Sequence, residues 1–193
     1  LGWAQPVINT PTTSFIAAES GRTYMTVGDV WNGSAKVGAT TGDTLRVTYT
    51  NSGTATAYDL ALSVTLPTGF TYVPDTATVS TNPSTSGLSV SASQSGTLVT
   101  FALSLAGKAY DLPAGTTLTL NYGVRTATTV VSGTYQPIYS RNYALTDGGA
   151  LVGATTTQQS VLVQAGDTTI DLTPNQQLKA VGDTANFTVT VTN

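Results

Sequence analysis

This sequence writes one strand twice. Gly42 to Gly53 reads GDTLRVTYTNSG, and Gly182 to Asn193 reads GDTANFTVTVTN. Aligned on the closing Thr-Asn, Leu45, Val47 and Tyr49 fall against Phe187, Val189 and Val191. The Gly-Asp starts are out of step with the Thr-Asn ends by two residues, and an even slip keeps the same side chains on the same face of a strand. Strict alternation makes each copy a half-buried β-strand, entered through a Gly-Asp turn and left through Asn, a turn former. A long run of further strands follows the first copy, whereas the sequence stops at the second. The expectation is one whole unit and the opening of another.

Composition agrees with strands throughout. Thr occurs 39 times and Glu once, at Glu19. Thr is β-branched and half polar, which suits the exposed face of a pleated sheet and suits a helix poorly. No window carries a capped apolar repeat of helical period. Charged residues make up 9% of the 193 residues, against roughly 25% in an ordinary soluble domain. With a net charge of −3 and the seven cationic residues scattered singly from Arg22 to Lys179, neither a nucleic-acid backbone nor an anionic membrane is an expected partner. The absence of Cys excludes disulfides and thiolate chemistry. No stretch reaches the ~20 apolar residues that a membrane-spanning helix needs. Leu1 is no initiator Met, so a processed start is expected.

Residues 1–33 differ from the rest of the chain, with two prolines, Trp3, and short apolar pairs at Val7-Ile8 and Phe15-Ile16. This leader reads as a segment lying on its own domain, as an arm that docks on a neighbouring subunit, or as an appended leader. Regular alternation starts near Lys36. Thr44 to Thr50 is a strand, and Leu60, Leu62, Val64 and Leu66 share one face of the next, which Pro67-Thr68-Gly69 ends. Phe70, Tyr72 and Val73 follow, then a polar loop around Thr81 to Ser86. Leu88, Val90 and Ala92 alternate, and Gln94-Ser95-Gly96 turns the chain into Val99, Phe101, Leu103 and Leu105. A turn at Leu112-Pro113-Ala114-Gly115 leads to Leu118, Leu120, Tyr122 and Val124. Tyr135 to Ala144, a turn at Asp147-Gly148-Gly149, and a strand through Val161 and Val163 complete the pass. Short strands at this spacing predict an all-β fold, an antiparallel two-sheet Ig-like β-sandwich, with a jelly roll as the alternative. The predicted division is an arm over 1–33, a sandwich over 34–163, and the first strands of a second sandwich, or a donated-strand segment, over 164–193.

The run GDTLRVTYTNSGTATAYDLALSVTLPTGFTYV, with LPAGTTLTLNYGV at Leu112 to Val124, resembles the tandem Ig-like repeat of bacterial and archaeal cell-surface proteins, a domain of unknown function. The resemblance spans about Lys36 to Val163, and DTTIDLTPNQQLKAVGDTANFTVTVTN begins a second copy. It implies an extracellular, cell-surface setting and a scaffold, and it implies no particular site. Ser52 stands where the repeat pattern prefers Thr, and the segment before Lys36 has no counterpart in that pattern.

Candidate chemistry is sparse. With no His, the usual general base and zinc ligand are missing. Asp43, Asp59, Asp75, Asp111, Asp147 and Asp183 lie singly beside turns, where Asp commonly bonds its own backbone. No enzymatic activity is expected, and no catalytic or cofactor-binding residue is assigned. Calcium is the one conceivable metal, at Asp167 and Asp171, which share a face of an extended segment. An internal Lys–Asn amide would have to join Lys36 to Asn51 or Asn142, with Asp59 as helper; solvated charge is the plainer reading. Tyr135, Tyr139 and Tyr143 share a face if their segment is one strand, forming either a core side or a sugar-stacking stripe. Asn32-Gly33-Ser34 and Asn186-Phe187-Thr188 are formal glycan acceptors.

The favoured expectation is an exported module of a cell-surface fibre, sheath or filament, self-associating by strand addition. Trp3, Val7, Ile8, Phe15, Ile16, Phe187, Val189 and Val191 are the expected subunit contacts. The alternative is an adhesin or carbohydrate-binding domain whose ligand face lies on Thr81 to Ser86 or on the Tyr stripe.

Overall fold

A computed structural model describes residues 4–28, 31–33, 35–36, 42–157, 160–164, 169–174 and 187–192. Every regular element among them is a strand. In chain order they begin with β1 (Thr12–Ile16), β2 (Met25–Thr26), β3 (Trp31–Asn32), β4 (Ala35–Lys36), β5 (Thr44–Thr50) and β6 (Tyr58–Thr65). Next come β7 (Phe70–Tyr72), β8 (Thr78–Asn82), β9 (Ser89–Ser95), β10 (Leu98–Leu105), β11 (Lys108–Ala109) and β12 (Thr117–Thr126). The last are β13 (Gly133–Tyr135), β14 (Ile138–Ala144), β15 (Leu151–Thr157), β16 (Val161–Gln164), β17 (Thr169–Pro174) and β18 (Phe187–Thr192).

Two antiparallel sheets form the sandwich. One runs β1–β5–β12, with β7 and β8 sharing the far side of the long strand β12. The other runs β9–β10–β6–β14–β15, with β11 closing a tight hairpin on β10. The predicted alternation sets what lies between them. Leu45, Val47 and Tyr49 of β5 pair with Tyr122, Leu120 and Leu118 of β12, and all six are buried. Leu60, Leu62 and Val64 of β6 face them beside Val99, Phe101 and Leu103 of β10. Each such side chain contributes about 1.5–3 kcal/mol on burial. The outward residues of β5 and β12 are polar: Thr48 hydrogen-bonds Thr119, Thr50 hydrogen-bonds Thr117, and Arg46 Nε donates to Asn121 Oδ1.

β7 and β8 are separated by a detour through Pro74, Asp75 and Thr76, which β12 accommodates at Gly123. The Gly123 N–H donates to Thr76 Oγ1 at 2.8 Å, and a Cβ at Gly123 would stand 2.9 Å from that oxygen. On the other sheet, the β6–β14 register shifts beside Asp59, which takes φ = 52° as expected of a bulge.

In the described part of the predicted arm, β1 and β2 join larger sheets and β3 pairs with β4 in a two-stranded sheet. β1 is the edge strand of the first sheet, and β2 pairs in parallel with β16 in a small third sheet, β13–β16–β2. Thr126 fastens that end: its Oγ1 donates to the Thr26 carbonyl and accepts from the Gly28 N–H. Asp43, fully buried, accepts the Ala18 N–H through Oδ1. Two local readings need correction. Tyr135 to Ala144 is not one strand, because Gln136 and Pro137 divide β13 from β14, which lie in different sheets; Pro has no N–H to give a ladder. The polar stretch expected to be loop at Thr81 and Asn82 is the end of β8.

β17 and β18 form an antiparallel hairpin in which Ile170, Leu172 and Pro174 stand opposite Val191, Val189 and Phe187. In the first copy Thr13 and Phe15 of β1 stand opposite Val47 and Leu45. β17 precedes β18 and is antiparallel to it, as β1 precedes β5 and is antiparallel to it. The leader thus supplies a strand equivalent, although its sequence offers no motif for one.

Candidate assembly interface

The repeated strand occupies two different environments. β5 is hydrogen-bonded on both sides, to β1 and to β12. β18 is hydrogen-bonded to β17 alone among the described strands. Val47 is 0% exposed, and its counterpart Val189 is 58% exposed. An open ladder edge is a template for another strand, and natural sheets normally guard such edges with charge, Pro or bulges. β18, FTVTVT, carries none of these within its span.

The sandwich edges are equally unguarded. β1 and β8 of one sheet, and β9 and β15 of the other, contain no charged residue and no proline. The run from Thr76 to Gly107 has no charge at all. Between β9 and the segment that leads from β7 to β8 lies a cleft of about 250 Å³ lined by Tyr72, Asp75, Ala77, Val90, Ser91 and Ala92. Val79, Leu88, Val90 and Ala92 pack against the core there but stay half-buried. This opening went unforeseen in the sequence, because β8 was hidden in a Ser/Thr-rich stretch. β15 has its own exposed apolar pair, Leu151 and Val152.

The residues expected at a subunit contact divide three ways. Ile8 is buried and Phe15 packs half-buried against the core, both within their own chain. Val7, Ile16 and Val189 are exposed. Phe187 and Val191 lie on β18, opposite Pro174 and Ile170 of β17. Trp3 lies outside the described residues, as do Asp167, Ser34, Asn186 and Asn193.

Asn51, the closing residue of the repeated strand, is the clip that fixes the arm. It is fully buried. Its Oδ1 accepts the N–H groups of Val7 and Gly53, both at 3.1 Å. Its Nδ2 donates to the carbonyls of Ala55 and Leu112, both at 2.9 Å. Gly53 is required beside it, since a Cβ there would collide with the backbone of Gln5, Pro6 and Val7. This set of bonds gives Asn51 a complete structural role. The postulated helper Asp59 is engaged elsewhere: its carboxylate accepts the Gly148 N–H and its N–H donates to Asp111 Oδ1.

The Tyr stripe is core. Tyr139 is 2% exposed and its hydroxyl meets that of Tyr122 at 2.8 Å, while Phe101 packs on Tyr122 with centroids 5.0 Å apart. Tyr135 packs on Phe70, and Tyr143 lies half-buried against the core. Burial pushes the Tyr139 hydroxyl up to about 12, with the Tyr122 bond opposing. Burial likewise raises Tyr122 and Tyr49 well above the usual phenol value, and Arg141 opposes at Tyr49. Arg141 also bridges elements, donating to the Ile8 carbonyl and to Thr156 Oγ1. Among the described residues, no three His, Cys, Asp or Glu side chains are grouped to hold a metal ion, and no helix is long and apolar enough to cross a membrane.

No protein-family profile matches this chain, and no curated protein does. Solved structures do match in part. The major pilin subunit BcpA of Bacillus cereus is 10% identical, with TM-score 0.45 over 86% of this chain and 42% of that one. The major pilin SpaD of Corynebacterium diphtheriae is 8% identical, with TM-score 0.48 over 79% and 34%. An exo-β-N-acetylglucosaminidase of Vibrio harveyi is 9% identical, with TM-score 0.40 over 86% and 20%. The chain spans less than half the length of each of these three structures. Likeness at this level assigns no activity.

Proposed function

We propose that this chain is a non-enzymatic structural module of an exported cell-surface fibre, sheath or filament, in which units join by β-strand addition. The observation that carries the reading is the unequal state of the twin strands: β5 is closed on both edges, and β18 is open on one among the described strands. β17–β18 is then the opening of a second sandwich or a donated segment. Four further edges without a charge or a proline support it, since a monomer under no pressure to pair would be expected to guard them. So does the resemblance of the Gly-Asp-Thr and Leu-Pro-x-Gly motifs to tandem surface repeats. When donor and acceptor edges differ, the contact is heterologous and grows into an open filament.

The adhesin alternative has lost its Tyr stripe to the core, which leaves it the exposed loop at Pro83 and Ser84. The experiment is electron microscopy of the full chain at rising concentration, beside a variant lacking residues 165–193. Filaments from the full chain that vanish in the deletion are expected. Monodisperse particles from both at all concentrations would overturn the reading. Deleting residues 1–33 is not a fair test, because β1 and β2 are part of the fold.

A further inference from the structure

We infer that the acceptor of β18 is the free edge of β9 in a second copy of this chain. The inference rests on the proposed strand addition and names its two surfaces. In the sandwich, β5 is completed by β12, whose Thr117-Leu118-Thr119-Leu120-Asn121-Tyr122 alternates polar and apolar residues. β9 carries the same alternation with smaller side chains over Ser89-Val90-Ser91-Ala92-Ser93, and Gln94, whose Oε1 accepts the Tyr72 N–H, stands where β12 has Tyr122. It pairs with β10 on one side, and with no described strand on the other.

The other edges fit less well. The alternation of β15 is broken at Gly153, beside which the Asn142 side chain leans. β8 offers one apolar residue, Val79. β1 offers Phe15, already packed inward, and Ile16.

Transferring the β5–β12 register places Ser91 opposite Thr190, Ala92 opposite Val189 and Val90 opposite Val191. The small Ala77 and Ala92, and the cleft of about 250 Å³ between them and Tyr72, leave room for Val189, which is largely exposed. Neither β9 nor β18 carries an ionised group of its own, and the one carboxylate lining the cleft, Asp75, is solvent-exposed. β9 and β18 are different surfaces, so each copy has one of each, and the contact repeats head to tail.

The chain has no Cys, which makes disulfide trapping clean. Residues directly opposed across antiparallel strands have Cβ atoms about 4.5–5.5 Å apart, close to disulfide reach. The probe is the full chain carrying Ser91→Cys with Thr190→Cys, mildly oxidised and run on a non-reducing gel. A ladder of linked oligomers is expected. The control pair Thr155→Cys with Thr190→Cys, which tests the β15 edge, is expected to give none. Adding Val189→Asp to the first pair, at an exposed position, is expected to abolish the ladder and leave thermal unfolding unchanged. A ladder from the β15 pair alone would overturn this inference and leave strand addition standing. A disulfide closed within one chain would overturn it too. No ladder from either pair, with monomers in sedimentation at the same concentration, would sink both readings.

Discussion

β5 and β18 share an alternation of Thr with apolar residues, and they differ in what lies beside them. β5 sits between β1 and β12 under a second sheet, and Val47 is sealed from water. β18 has the same kind of partner on one side, β17, and Val189 is largely in solvent. Alternation therefore specifies that a strand forms and which face is apolar. It does not specify whether the second edge is filled from within the chain or from outside it. β5 has β12 on its second edge, and among the described strands β18 is paired with β17 alone.

The comparison can be broken hardest at its central position. Val47→Asp places a carboxylate in a sealed core and should cost more than about 4 kcal/mol, enough to unfold the sandwich. Val189→Asp should move the same thermal transition by under about 0.5 kcal/mol, while abolishing concentration-dependent association. Circular dichroism melts and sedimentation velocity on the two variants check the pair of outcomes. Equal destabilisation by both would show that β18 is as enclosed as β5.

The clip comes next. Asn51→Ala removes all four side-chain hydrogen bonds, taking its partner from the part-buried Val7 N–H and leaving the buried Leu112 carbonyl with the Ala57 N–H alone. A loss of about 2–3 kcal/mol is expected from the urea midpoint. Gly53→Ala should cost about 1–3 kcal/mol by pushing the crossing segment at Gln5–Val7 away. Amide exchange should then quicken first near Val7 and Ser52, whose backbone groups are hydrogen-bonded to each other. These effects belong to the first copy and sharpen the contrast with β18.

The pH response separates the copies again. Burial raises Tyr139 to about 12, and Tyr122 and Tyr49 are raised by the same cause. An unfolded phenol titrates near 10. Between those values the unfolded chain releases protons that the folded sandwich keeps, so stability is full below about pH 10 and falls as pH rises toward 12 and beyond. Urea unfolding at stepped pH, with tyrosinate absorbance followed in parallel, should show the loss beginning near pH 10. Tyr139→Phe removes one titrating hydroxyl and should flatten part of that slope. The hairpin contains no Tyr and should add nothing to it.

Much of the fold was legible because alternation is a local property. β5, β6, β10 and β12 appear where their apolar residues recur every second position. β1 and β8 were hidden, since TTSFI and TVSTN are short and mostly hydroxylic, and pairing with β5 and β12 is what makes them strands. The break at Pro137 was available in the sequence as a ladder interruption, and the regular four-residue spacing of the tyrosines masked it. The interface was half legible. The repeat pointed to β18, but the open slot beside β9 depends on how the Tyr72–Ala77 segment and β9, which belong to opposite sheets, come together. Asn51 could be read as a turn former and not as a clip, because Val7 and Leu112 are remote from it in sequence.

Amide hydrogen exchange across a concentration series of the full chain tests the central claim most directly. Thr44–Thr50 should be strongly protected at every concentration. The amides of Phe187–Thr192 that face away from β17 should exchange freely in dilute solution and become protected as association proceeds. β18 amides as slow as those of β5 in the dilute monomer, or fast at every concentration, would contradict an open edge that another copy fills.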